Sequence, residues 1–163
     1  YLGKIIIKKF IKIIVKGVQM NKNLSYEDLR KHIIEFLKEN KEGALGTCLN
    51  NIPRSSPVRY FLGENMDIYI ASTGGEKFKA LAQNSNVCLL VNTHYIDYRQ
   101  IKGVQIFGTA VTSIDEPRLL EEVKGYCSNF PKEDLKIIKI EPSEIVYLNS
   151  LGAGDRTKQI LKI

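Results

Sequence analysis

From Gly43 onward the chain is a succession of short runs of β-forming residues, and this limits the folds open to it. The runs are Ala44–Leu49, Ser55–Leu62, Asp67–Ser72, Val87–Thr93, Lys102–Thr112, Leu135–Ile140 and Glu144–Leu148. Asn50-Asn51 and Gly63-Glu64-Asn65 stand where tight hairpin turns belong, so the first three runs form a meander. Pro57 lies inside the second run and lacks an amide proton, so that strand has an unpaired edge or a bulge there. Strands this numerous, with few helices, bury their edges most simply by closing into a small antiparallel barrel.

Helical signals are confined to three places. Ser25 opens the first helix, with Asp28 in the capping-box position and Leu29, Ile33, Phe36 and Leu37 forming one apolar face; it ends near Asn40 to Gly43. His32 flanks that face and reads as a partly exposed helical residue. Short helices are expected at Glu76–Gln83 and at about Glu116–Ser128, the second opened by Asp115 with Pro117 in its first turn.

The 163 residues suffice for one domain with a proper core. The net charge of +6 suggests nucleic acid, but residues 1–19 hold five lysines and no acid. Without them, nineteen basic residues face eighteen acidic ones, and the electrostatic case for DNA or RNA largely disappears. An oligonucleotide-binding barrel would want aromatics interleaved with a basic groove, which Tyr60, Phe61, Tyr69, Arg54 and Arg59 satisfy only faintly.

Lysines at 4, 8, 12 and 16 form one stripe of the leader, which as a helix would be cationic and amphipathic, able to lie on an anionic membrane surface but not to span it. The reading adopted is that residues 1–19 are translated upstream sequence and that Met20 is the true start, with a domain over 20–150 and a C-terminal tail over 151–163 whose Gly152–Arg156 stretch is a flexible loop.

Cys48, Cys88 and Cys127 are odd in number and lack the spacings of zinc sites or redox dithiols, so they read as reduced core thiols of a cytoplasmic protein. With only His32 and His94 and no clustered carboxylates, no protein-ligated metal is expected.

Two segments carry the chemistry. Arg54-Ser55-Ser56-Pro57-Val58-Arg59-Tyr60 places a cation and two hydroxyls in a strand, and Ile70-Ala71-Ser72-Thr73-Gly74-Gly75-Glu76-Lys77 ends a strand in hydroxyls and two glycines before a helix begins. Amide groups at that helix start, the dipole behind them and the Lys77 ammonium all favour an anion, so the two segments read together as a phosphate site.

With these motifs, Asp67–Ser72, Lys77 with Leu81 and Asn84-Ser85-Asn86-Val87, and the long run ending Gly108-Thr109-Ala110, the chain from about Leu29 to Ser150 resembles the pyridoxamine 5'-phosphate oxidase-like family. The resemblance implies a mainly β fold with flanking helices, a six- to seven-stranded antiparallel split β-barrel of the FMN-binding type. It further implies a homodimer with FMN in grooves between subunits. Arg54 and the backbone of Ser55, Ser56, Pro57 and Val58 would lie along the flavin and its phosphate, Ala71, Ser72 and Thr73 would cap the phosphate, and Lys77 would neutralise it. Gln105 either hydrogen-bonds the flavin ring or is simply an exposed polar residue; Asn92 is a weaker candidate.

The departures bear on activity. Glu76 stands where the vitamin-synthesising oxidases carry a basic residue, and Ala71 lacks an expected hydroxyl. Leu119–Phe130 lacks the tyrosine, arginine and serine set that would hold pyridoxamine phosphate, and the arginine-rich C-terminal signature is absent. The vitamin reaction is therefore disfavoured. What the resemblance leaves is an FMN-dependent oxidoreductase acting on a small molecule by hydride transfer, with no side-chain nucleophile or acid–base pair required because the cofactor carries the chemistry. Tyr95, Tyr98 and Arg99, before the long strand, form either a substrate-facing wall or a solvated loop. The alternative is a non-catalytic or sensing module that holds FMN, haem or a deazaflavin, with His94 the credible haem ligand.

Overall fold

The computed structural model describes residues 23–126, 134–152 and 156–163. The expected leader and Met20 start, Cys127, the last part of the expected Glu116–Ser128 helix and the middle of the expected Gly152–Arg156 loop lie outside the described residues.

Helix α1 (Tyr26–Glu39) begins where its cap demands. The Ser25 hydroxyl oxygen accepts the Asp28 amide at 3.1 Å and donates to the Asp28 carboxylate at 2.7 Å, so the first turn is closed from both sides. Leu29, Ile33, Phe36 and Leu37 are buried on one face. The helix stops at Asn40, whose backbone and side-chain amides both bond the Phe36 carbonyl.

Strands β1 (Glu42–Leu49) and β2 (Ile52–Leu62) form a hairpin around Asn50 and Asn51, with φ of 53° and 61°. Two successive left-handed residues give the turn twist that matches the strands, and asparagine tolerates it best after glycine. A short 3-10 turn, Glu64–Met66, leads into β3 (Ile68–Ser72), followed by α2 (Glu76–Gln83), β4 (Asn86–Asn92) and β5 (Lys102–Thr112). Helix α3 (Leu119–Glu122), β6 (Lys136–Asn149) and β7 (Thr157–Lys162) complete the order.

All seven strands join one antiparallel sheet in the order β3-β2-β1-β4-β5-β6-β7, and β3 also pairs with β6, which closes six of them into a ring. The expected split barrel is thus the fold. Leu45, Leu89, Ile106 and Ile145 occupy one register row across β1, β4, β5 and β6, and all point inward at 0% exposure. Burial of each such side chain contributes roughly 1.5–3 kcal/mol. The inward face of β3 adds Ile68 and Ile70, and α1 packs on the same core, pinned where the Tyr60 hydroxyl donates to the Leu37 carbonyl at 3.0 Å. On the other side of β3, Tyr69, Leu119, Val123 and Ile137 form a second, smaller cluster.

Pro57 behaves as its chemistry requires. β2 pairs with β1 over Ile52–Arg59, but β3 reaches only Tyr60–Leu62, so among the described residues the opposite edge of Ile52–Arg59 has no strand partner. Pro142 behaves otherwise. It lies in the gap between the expected runs Leu135–Ile140 and Glu144–Leu148, yet β6 runs through it without interruption. There β6 leaves β3 and acquires β7, while the register against β5 slips between Phe107 and Gly108. A missing amide proton is tolerated at such a change of partners.

Two further elements differ from expectation. Helix α3 is shorter than Glu116–Ser128, with single turns on either side. Residues 157–162, expected within a tail, form β7 on the second half of β6. Only Leu161 of that strand is buried, so its sequence carries little inward-facing signal.

Candidate functional site

The loop between β3 and α2 gathers most of the charge expected for a phosphate site. Gly74 and Gly75 adopt φ of 135° and 104°, a conformation that swings the chain directly from strand to helix. The Ser72 hydroxyl accepts the Gly74 amide, and the Glu76 and Lys77 amides at the helix start have no acceptor among the described residues. Lys77 folds back so that its Nζ donates to the Gly74 carbonyl at 2.7 Å, and partial burial lowers its pKa. An anion beside that ammonium would oppose this shift.

Arg54 reaches this loop from β2. Its guanidinium lies 4.0 Å from the Glu76 carboxylate, which is itself held by Lys79 at 2.6 Å. The Lys79 hydrogen bond, Lys79's charge and then Arg54's charge keep the Glu76 carboxyl below its usual pKa. Lys136 is a residue that sequence reasoning missed. The β3–β6 closure sets it opposite Ser72, and its Nζ donates to the Thr73 carbonyl at 3.4 Å. No local motif announces it, because the pairing joins segments far apart in the chain.

The remaining candidates divide by strand face. Ser55 and Pro57 point outward over the small residues Gly46 and Ala44, a shallow ledge beside the free edge of β2. Ser56 and Val58 turn inward opposite Leu45 and Gly43, so they offer that edge mainly backbone. Ala71 packs its methyl group into the Tyr69–Ile137 cluster, leaving Ser72 and Thr73 as the hydroxyls of the loop. Gln105 is not at this corner. It shares an outward register row with Leu90, Ala44 and Pro57, three strands from β2 and so roughly 14 Å across the sheet.

Two concavities lie on that farther side. One of about 340 Å³ is bounded by Leu90, Gln105, Val146 and Lys158. A larger one of about 1060 Å³ lies against the β4–β5 loop. The phosphate-like corner is instead a shallow cradle of backbone and cations, so the two regions together, with the outward sheet face between them, make an elongated surface. His94, just past β4, is exposed. Among the described residues there is no group of three or more His, Cys, Asp or Glu side chains disposed to hold a metal ion.

An antiparallel barrel of six strands with a glycine-rich, cation-lined junction between β3 and α2 defines the class of small split barrels. The family of pyridoxamine 5'-phosphate oxidase matches residues 29–149, and the chain belongs to that family. No curated protein matches it. Among solved structures it is similar to general stress protein 26 from Bacillus anthracis str. Sterne, at 20% identity and TM-score 0.60, covering 83% of this chain and 98% of that one. It is also similar to an FAD-binding protein from Mycobacterium smegmatis, at 20% identity and TM-score 0.54, covering 82% of this chain and 95% of that one. A haem-binding protein from the same organism aligns at 15% identity and TM-score 0.56, covering 84% of this chain and 58% of that one. At these identities the likeness carries the fold.

Proposed function

We propose that the protein is an FMN-binding flavoprotein, and that it is an oxidoreductase acting on a small molecule. The observation that carries this reading is the corner where Arg54, Lys77 and Lys136 surround Gly74-Gly75 while the Glu76 and Lys77 amides stand without acceptors. A phosphate monoester needs cations and oriented donors together, and the guanidinium fork of Arg54 matches its oxygens. When bound, the flavin supplies hydride transfer to or from the substrate. The chain's part is to hold the phosphate, lay the free edge of β2 along the ring system and present Gln105 to its far end.

The outward face supports a homodimer. Leu90, Phe107 and Ile160 are exposed on adjoining strands at 38%, 37% and 54%, with Val146 half-buried between them. A second copy laid on that face would cover the apolar side chains and enclose the ring between subunits. Cys48 and Cys88 are free thiols, which supports a cytoplasmic location. Among the described residues no helix is long and apolar enough to cross a membrane.

The test is the visible spectrum of the purified full chain, with the mass of whatever small molecule denaturation releases. A flavin spectrum and an FMN mass are expected. A deazaflavin mass would keep the corner and change the cofactor; a Soret band would move the site to His94; a colourless protein that takes up no added FMN would remove the proposal.

A further inference from the structure

The larger concavity, about 1060 Å³, is built differently from the phosphate corner. One wall is the loop joining β4 to β5 and the other is formed by Leu148, Ser150, Gly152 and Arg156. Tyr95 and Tyr98 are 65% and 89% exposed, a large aromatic area for a surface loop. The Arg99 guanidinium lies 5.8 Å from the Tyr98 ring centre, and Arg156 enters from the opposite wall.

This loop is fixed rather than open-ended. The Ser150 hydroxyl lies 2.6 Å from the Arg99 carbonyl and 2.9 Å from that of Ile101, and it accepts the Ile101 amide at 3.1 Å. The Ile96 amide bonds the Gln100 carbonyl, and the Asp97 carboxylate accepts the Arg99 amide at 3.0 Å. The backbone carrying Arg99 is therefore placed before any ligand arrives, while among the described residues its side chain forms no ion pair. Among the described residues that line the cleft, two guanidinium groups face one carboxylate, Asp97.

The cleft is also continuous with the smaller concavity. Tyr95, Ile101, Leu148 and Arg156 line both, and the smaller one ends at Gln105. A molecule held by the arginines would extend its apolar body toward the outward sheet face.

We propose that the cleft between the Tyr95–Ile101 loop and the residues Leu148, Ser150, Gly152 and Arg156 binds an anionic small molecule with a flat apolar body, its carboxylate-like group on Arg99 and Arg156 and its ring against Tyr95 and Tyr98, and that this is the substrate's position. Guanidinium supplies paired donors to a planar oxyanion, and an aromatic face suits both the ligand ring and the cation beside it. The substrate role rests on the flavin reading above; the binding site itself does not.

The test is calorimetric titration of the FMN-saturated full chain with sodium 2-naphthoate and with 2-naphthamide, which differ in the anion alone. Naphthoate is expected to bind at least ten-fold more tightly and to shift the visible flavin band. Arg99→Gln and Arg156→Gln are each expected to weaken naphthoate about ten-fold with naphthamide and FMN affinities unchanged, and Arg118→Gln, on an exposed pair with Glu116, to change neither. Equal binding of acid and amide, or a preference that survives both arginine changes, would overturn the site. Naphthoate binding without any change in the flavin band would overturn the substrate role. Should the chain hold no FMN, the same titration of the unliganded protein with the acid preference intact would retain the site and remove its flavin partner.

Discussion

Gly108 stands opposite Pro142 across the β5–β6 pair, at the point where β6 changes its neighbour from β3 to β7. A Cβ placed on Gly108 would lie 2.1 Å from the Glu141 carbonyl oxygen and 2.9 Å from the Pro142 Cα. Both obstacles are backbone, so no rotamer can relieve them. The bulge that lets the barrel split therefore depends on a residue without a side chain.

Gly108→Ala is expected to destabilise the fold by about 1–3 kcal/mol, toward the upper end, because the clash is with a strand paired on both sides. Urea unfolding followed by circular dichroism measures it. Gly125→Ala is the control, since nothing lies within 4 Å of its Cβ position. Equal midpoints for the two variants would show that β6 yields freely at Pro142.

What the sequence revealed and what it concealed divide along locality. The Ser25 cap, the Asn50-Asn51 turn and the free edge at Pro57 each follow from residues within a few positions of one another, and each is found in the fold. The gap expected between Ile140 and Glu144 is absent because β6 carries Pro142 through its change of partners opposite Gly108 in another strand. β7 went unread because its alternation buries only Leu161, and Lys136 because barrel closure alone brings it to Thr73. At the candidate site the loop glycines and Lys77 were legible for the same local reason. The inward turn of Ser56 and Val58 was not, since it depends on register against β1.

Glu76 sets the charge of the corner. Its carboxylate sits 4.0 Å from Arg54 and stays ionised through the neutral range, since Lys79 stabilises the charged form. It therefore repels a phosphate dianion that Arg54 and Lys77 attract. Glu76→Gln is expected to tighten FMN several-fold at low salt and to leave riboflavin, which has no phosphate, unchanged. Fluorescence titration of both ligands gives the comparison, and a parallel gain for riboflavin would mean that the substitution acts through the fold instead.

The apolar outward face yields a prediction about assembly. Ile160 and Leu90 share one register row, through Val146 and Gln105, and both are exposed. Leu90→Glu with Ile160→Glu should leave the barrel folded and abolish the dimer, as read by light scattering behind size-exclusion chromatography. FMN uptake should fall with it, because in the proposed dimer the second copy would complete the ring groove. A monomeric wild type would remove the argument at its first step.

Three buried tyrosines set the alkaline limit of stability. Tyr69 is pushed up to about 12, first by burial and next by its hydrogen bond to Glu122, with Lys139 opposing; burial likewise raises Tyr60 and Tyr147. A phenol that keeps its proton more firmly when folded stabilises the fold fully below its unfolded pKa of 10.0, and that contribution is lost as pH rises through the folded value. For Tyr69 the two-unit interval corresponds to about 2–3 kcal/mol, drained between pH 10 and about 12. Absorbance at the phenolate band should therefore fall short in the folded protein relative to urea-unfolded protein at the same alkaline pH, and recover with loss of ellipticity. Tyr69→Phe should retain the fold and reduce that deficit. A full complement of phenolate appearing before unfolding would show that these hydroxyls reach water without opening the barrel.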